Sequence, residues 1–193
     1  VAVCDHGGIY VWNEADSPAS AKCVAMHEVA LTAGVQLPNS IFVALDIIGQ
    51  LVVYDIDDID TTIFTQRALI KTTELGDIHC IAAYGDASVI VAGAGGRILK
   101  VTVTTGEITI IEQGSLKNIR GTIYDGQPVA ENLWCFCRQD GRILFYDTRD
   151  GIQFLGNEMI FCGTAATCLA SEQIIDSKRC ERFFCGSRTG EVA

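Results

Sequence analysis

The sequence predicts an all-β chain: a partial arc of a β-propeller with about three full four-stranded antiparallel blades and two partial ones. Three observations predict it. A unit of strand, tight glycine turn and strand occurs five times, as VAVCDHGGIYVWN, IFVALDIIGQLVVYDID, VIVAGAGGRILKVTV, LWCFCRQDGRILFYDTR and FFCGSRTGEVA. The last turn glycines, Gly8, Gly49, Gly96, Gly141 and Gly190, stand 41, 47, 45 and 49 residues apart. A repeat of roughly 40–50 residues made only of strands is the period of a propeller blade. Finally, no stretch of about ten or more residues shows the 3.6-residue periodicity of an amphipathic helix.

The elements follow in order. The chain opens at Val1 inside a second strand, and the third strand runs to Trp12 and Asn13. The next copy reads as an inner strand over 28–33, a second over 41–45, a third over 50–56 and an outer one near 66–72. The central copy is the clearest. IHCIAAY (78–84) is the inner strand and SVIVAG (88–93) the second. A turn at 94–96 leads to RILKVTV (97–103), and Thr105 and Gly106 lead to EITIIE (107–112). Ile, Val, Phe and Tyr alternate there with small or polar residues, the pattern of a half-buried strand. The following copy runs over 119–124, 132–138, 142–148 and 152–155. The last begins with ATCLAS, continues through FFCG and stops at Ala193 inside a third strand. The turn glycines supply the positive φ that a two-residue hairpin needs. Pro18, Pro38 and Pro128 all read as lying between runs, where a missing N–H costs no ladder bond. Residues 1–193 are therefore expected to be part of a single propeller domain, truncated at both ends. Such an open arc is expected not to be stable as a monomer, because it leaves edge strands bare.

Composition narrows the function classes. Of 193 residues 49% are apolar, enough for a sizeable core, and the formal net charge is −10. An acidic surface repels phosphate, so no direct nucleic-acid partner is expected, whereas a basic protein face is compatible. The longest apolar run falls short of the roughly 20 residues that span a bilayer, so no membrane insertion is expected. The nine cysteines are an odd number at irregular spacing, and there is no Asn-x-Ser/Thr acceptor. Both favour a reducing compartment, cytoplasmic or alternatively nuclear or cilium-associated, with thiols packed as small hydrophobes.

The strand-end signatures are Trp12–Asn13, Tyr54–Asp55 and Tyr146–Asp147, with Asp5, Asp46 and Asp140 just before the turn of the same copies. This pattern resembles the WD-repeat family, whose blades end the third strand in Trp-Asp and carry an Asp in the preceding turn. No copy has the literal pair. The resemblance implies a hydrogen-bonded His, Asp, Ser/Thr and Trp set in each blade, of which His27 with Asp46 would keep part. DTRDG (147–151) fits the Asp-x-x-Gly of quinoprotein-like propellers as well. On the residues alone, a turn Asp bonds nearby backbone N–H groups and a strand-end aromatic packs between blades.

Other patterns do not carry chemistry. Asp55, Asp57, Asp58 and Asp60 lack the central Gly and distal Glu of an EF-hand loop. GAGG (93–96) opens a strand rather than a helix, so it is not a phosphate loop. Cys135 and Cys137 are two apart on a strand, with their sulfurs on one face, and a second ligand pair for zinc would have to come from elsewhere in the fold. No cofactor and no metal are expected, and no catalytic residue is singled out. The reading is a non-catalytic protein–protein interaction scaffold within a larger assembly, of ciliary or cytoskeletal, nuclear-pore or coat type. The alternative is an enzyme or small-ligand binder using the central channel. The variable connections 14–22, 57–65 and 171–179 are the candidate contact surfaces. Asp57, Asp58 and Asp60 make the second acidic, and Glu172, Asp176, Lys178 and Arg179 give the third mixed charge.

Overall fold

The computed structural model describes residues 1–12, 21–58, 63–71, 77–112, 121–130, 133–149, 153–160, 165–173, 180–190 and 192. Their strands are β1 (Ala2–Val3), β2 (Gly8–Val11), β3 (Lys22–Met26), β4 (Leu31–Leu37), β5 (Ile41–Asp46), β6 (Gln50–Asp58), β7 (Ile63–Lys71), β8 (Ile78–Tyr84), β9 (Ser88–Gly93), β10 (Ile98–Thr102), β11 (Glu107–Glu112), β12 (Ile123–Ala130), β13 (Leu133–Arg138), β14 (Arg142–Asp147), β15 (Gln153–Ile160), β16 (Ala166–Gln173) and β17 (Cys180–Ser187). A short 3-10 turn occupies Ala94–Gly96. The fold is all-β, with three four-stranded sheets, β4-β5-β6-β7, β11-β10-β9-β8 and β12-β13-β14-β15. A three-stranded sheet, β1-β2-β3, and a two-stranded sheet, β16-β17, accompany them.

The chain divides into two compact units, residues 1–90 with 101–108 and residues 91–100 with 109–193. In the first, Ile9, Leu31, Phe42, Ala44, Val52, Tyr54 and Phe64 form a core cluster, with Val3, Val11 and Val24 packed against it. Its central strands are buried on both faces: every residue of β5 is buried. At about 1.5–3 kcal/mol for each large side chain removed from water, these strands dominate the stability of the unit. In the second, Val129, Cys135, Cys137, Ile143, Ala166, Leu169 and Cys185 form the cluster that joins β12–β14 to β16 and β17.

Strand bounds over the central copy agree with the sequence pattern at β8, β9 and β11. The first strands of its neighbours do not. β4 covers Leu31–Leu37, not 28–33, and β12 covers Ile123–Ala130, not 119–124. Each contains a glycine that leaves space for a ring. A Cβ on Gly34 would lie 2.5 Å from Phe42 Cζ, and one on Gly126 would lie 2.3 Å from Phe136 Cδ1. Pro128 lies inside β12, opposite Trp134 and beside a register shift, rather than between runs. β12 ends the strand order of its sheet, where a proline is tolerated. Gly8 starts β2, and the left-handed residue of that turn is Gly7, at φ 83°. A Cβ on Gly7 would sit 2.1 Å from the His27 carbonyl oxygen. Residues 22–26 form the strand β3, so the connection 14–22 ends inside a strand.

Candidate functional site

The turn that closes β5 onto β6 is built by Asp46. Its buried carboxylate accepts the Ile48 and Gln50 N–H groups on Oδ1 at 3.0 and 2.8 Å. The Gly49 N–H donates to the Asp46 carbonyl at 3.1 Å, with Gly49 at φ 80°. Oδ2 faces His27 Nε2 at 3.5 Å. The structure therefore brings His27 and Asp46 together, but these two atoms make no hydrogen bond. The Tyr54 hydroxyl is also buried without a partner, and burial raises its pKa. These three side chains do not close into a hydrogen-bonded network.

Asp140 does the corresponding work between β13 and β14. Arg138 Nε donates to Oδ1 at 2.7 Å, and a second guanidinium nitrogen donates to Oδ2. The Arg142 N–H reaches Oδ1 at 3.3 Å. The Arg138 hydrogen bonds are the main cause that holds the Asp140 carboxyl below the usual carboxylate range. Asp147 is held down in the same way, by hydrogen bonds from the Arg149 side chain and N–H. Asp5 is fully exposed, and its turn is closed by backbone bonds such as Gly7 N–H to the Cys4 carbonyl at 2.9 Å.

Two of the strand-end aromatics, Tyr54 and Tyr146, are packing groups. Tyr54 is buried against Phe64, whose ring meets that of Phe42 edge-on at 5.6 Å. Tyr146 is buried edge-on to Phe136 at 5.2 Å and beside Phe154 at 5.4 Å. Trp134 stacks on Phe136. Rings offset or tilted in this way gain beyond their buried area.

Two side chains that the sequence pattern does not single out tie β12 to β16. Asp125 Oδ2 accepts the Leu169 N–H at 2.8 Å and Oδ1 accepts the Gly126 N–H at 2.8 Å. Gln127 Nε2 donates to the Leu169 carbonyl at 2.8 Å. Alternation along β12 places Asp125 and Gln127 on one face, and together they satisfy both backbone groups of Leu169. Desolvation raises the Asp125 pKa, and the two N–H bonds oppose it. Only a long-range pairing gives these residues their role, so nothing near them in sequence marks it.

Of the predicted contact residues, Asp57 and Asp58 lie at the end of β6 and Glu172 lies in β16, in strands rather than loops. β6 and β7 pair as far as Asp58 and Ile63, with Asp57 at the register shift after Ile56. Glu172 pairs with Arg182 of β17. Asp60, Asp176, Lys178 and Arg179 lie outside the described residues. None of Cys4, Cys23, Cys80, Cys135, Cys137, Cys168 and Cys185 is in a disulfide. Among the described residues no group of three His, Cys, Asp or Glu side chains is arranged to hold a metal, and no helix is long and apolar enough to cross a membrane. Asp46, Asp125, Asp140 and Asp147 each brace their own fold.

No family model matches the chain and no curated protein matches it in sequence. Solved structures do match. The crystal structure of the computationally designed Ika8 protein is similar at TM-score 0.68 and 17% identity, covering 98% of this chain and 52% of that one. The crystal structure of the computationally designed Ika4 protein is similar at TM-score 0.64 and 18% identity, covering 86% of this chain and 91% of that one. The chain thus spans about half the length of the Ika8 protein. At these identities the likeness is one of fold.

Proposed function

We propose that this chain is part of a WD-repeat-type β-propeller that works as a non-catalytic protein–protein interaction scaffold, in the cytoplasm and within a larger assembly. The propeller reading is supported by the repeat period and by three four-stranded sheets accompanied by one of three strands and one of two. It is supported further by first strands that lie beside one another inside each unit, β4 beside β8 and β12 beside β16. One observation carries the scaffold reading: Asp46, Asp125, Asp140 and Asp147 are spent on turns and strand junctions. Connections between strands can differ among the copies without disturbing the core. A net charge of −10 favours partners with basic faces.

The test is affinity capture from an extract of the source cells, comparing the native chain with the triple change of Asp57, Asp58 and Asp60 to Asn. Loss of one or more partners, with weaker capture of the same partners by the native chain as salt rises, is the expected result. An unchanged partner set at low salt removes the acidic connection from the interface.

A further inference from the structure

At one end of the first unit, three turns are hydrogen-bonded to each other. The His27 N–H donates to the Gly7 carbonyl at 2.9 Å, the Leu31 N–H to the Cys4 carbonyl at 3.2 Å, and the Ile47 N–H to the Ala30 carbonyl at 2.9 Å. The Asp46 brace and Gly49 fix the third turn from inside. This well-tied end presents apolar side chains to water. Ile47 is 63% exposed and Ile48 62%, as is Met26, next to the His27 that faces Asp46. The central positions of a tight turn are ordinarily polar or glycine, as in the Gln139–Asp140–Gly141 turn of the β12–β15 sheet. Two isoleucines there lose solvent exposure only if something covers them. Because the turn is already fixed, covering it costs little ordering entropy.

We infer that the turn carrying Ile47 and Ile48, with Met26, is a docking surface for a segment of another protein whose apolar side chain is flanked by lysine or arginine. The reading rests on the scaffold function and adds a second contact face to it. Charge chooses the occupant. The exposed acids on these turns are Asp5 and Glu28, with His6 beside Asp5 and Lys71 across from Gln50 on the outer strand. The chain as a whole carries −10. A basic rim on the partner is therefore attracted. A second copy would set Asp5 and Glu28 against the same acids, and an anionic lipid surface would be repelled. Asp57 and Asp58 end β6 at the other end of the sheet, where the Ile56 N–H meets the Ser40 carbonyl, so the two faces are separable by mutation.

The experiment titrates the whole chain with a short fluorescein-labelled peptide that carries a leucine pair between lysines, read by anisotropy at low salt. A matched peptide with glutamate in place of lysine is the control. Saturable binding of the basic peptide is expected, with at least about tenfold weaker binding after the double change Ile47→Ser and Ile48→Ser. Asp5→Asn with Glu28→Gln should weaken binding about threefold and flatten its salt dependence. Near-UV circular dichroism of each variant shows that the fold is kept. Changing Asp57, Asp58 and Asp60 to Asn should leave the peptide affinity as it was, whatever that change does to cellular partners. Failure of the acidic connection is thereby distinguished from failure of this surface. Absence of binding, equal binding of the glutamate peptide, undiminished binding by the isoleucine variant, or a dimer that the isoleucine change dissolves would overturn the proposal.

Discussion

Asp125 shows how one side chain sets the energetics of a sheet junction. Its carboxylate satisfies the Leu169 N–H, a backbone donor of β16 with no ladder partner on that side. Burial makes the charged form expensive, and its pKa is raised. Between the unfolded and the folded pKa the native state holds a proton that the unfolded chain has released. This contribution is fully present below the unfolded pKa and is lost as pH rises through the folded one. Asp140 and Asp147 act with the opposite sign. Their depressed pKa values add stability above the unfolded carboxylate range, and it fades as pH falls through the folded values. Asp125→Asn keeps an acceptor for Leu169 but does not titrate. Urea unfolding from pH 3 to pH 7 should therefore show the native chain gaining on this variant as pH falls. Asp125→Ala leaves the Leu169 donor unmet and should cost about 1–3 kcal/mol. A native-to-Asn difference that stays flat across that range, or an Ala variant with the native midpoint, would contradict the assigned role. The turn aspartates were legible from sequence because their partners lie two to four residues away. The partner of Asp125 lies on another sheet, and no local pattern announces it.

Single elements carry their geometry in the glycine turns and the aromatic packing. Gly49 and Gly141 sit at φ 80° and 78°, where a β-branched side chain is strongly disfavoured. Each Gly→Val should lower stability by about 1–3 kcal/mol in equilibrium denaturation. Gly49→Asn should recover most of that loss, since Asn tolerates the left-handed region. Valine variants that unfold at the native midpoint would mean that these turns are not held as described. Turn and strand can be told apart at these positions because the glycine follows an aspartate and precedes an alternating run. Local pattern misplaces β4 and β12, because nothing near Gly34 and Gly126 in sequence shows what packs against them. What decides their state is a phenylalanine on the neighbouring strand that needs the space a Cβ would fill. Pro128 is hidden for a related reason: an outermost strand accepts a residue that an inner strand would reject. Element type follows from local periodicity, whereas these boundaries follow from what packs across the ladder.

Over the whole molecule the thiols report on stability. Cys80 lies in the first unit, and Cys135, Cys137 and Cys185 share the apolar cluster of the second; all four are buried. Cys23 and Cys168 are exposed. A buried thiol reacts with a reagent only when its surroundings open, so its rate measures the local opening free energy. Cys23 and Cys168 should label at once in native buffer. The four buried thiols should label slower by at least about a hundredfold, which corresponds to openings costing roughly 3 kcal/mol or more. A total of nine reactive thiols is expected in denaturant without reductant, given the sequence count. The comparison between Cys80 and the Cys135–Cys137–Cys185 group is the informative one. Equal protection, lost at one urea concentration, would mean that the two units open as a single cooperative body. Separate transitions would mean that each core stands by its own packing. Fast labelling of Cys135 and Cys137 in native buffer would overturn the buried cluster itself. The prediction follows from β13 alone, where Trp134 through Arg138 are buried on both faces. A strand with ladder partners on both edges and side chains packed on both faces cannot expose a sulfur without breaking its sheet.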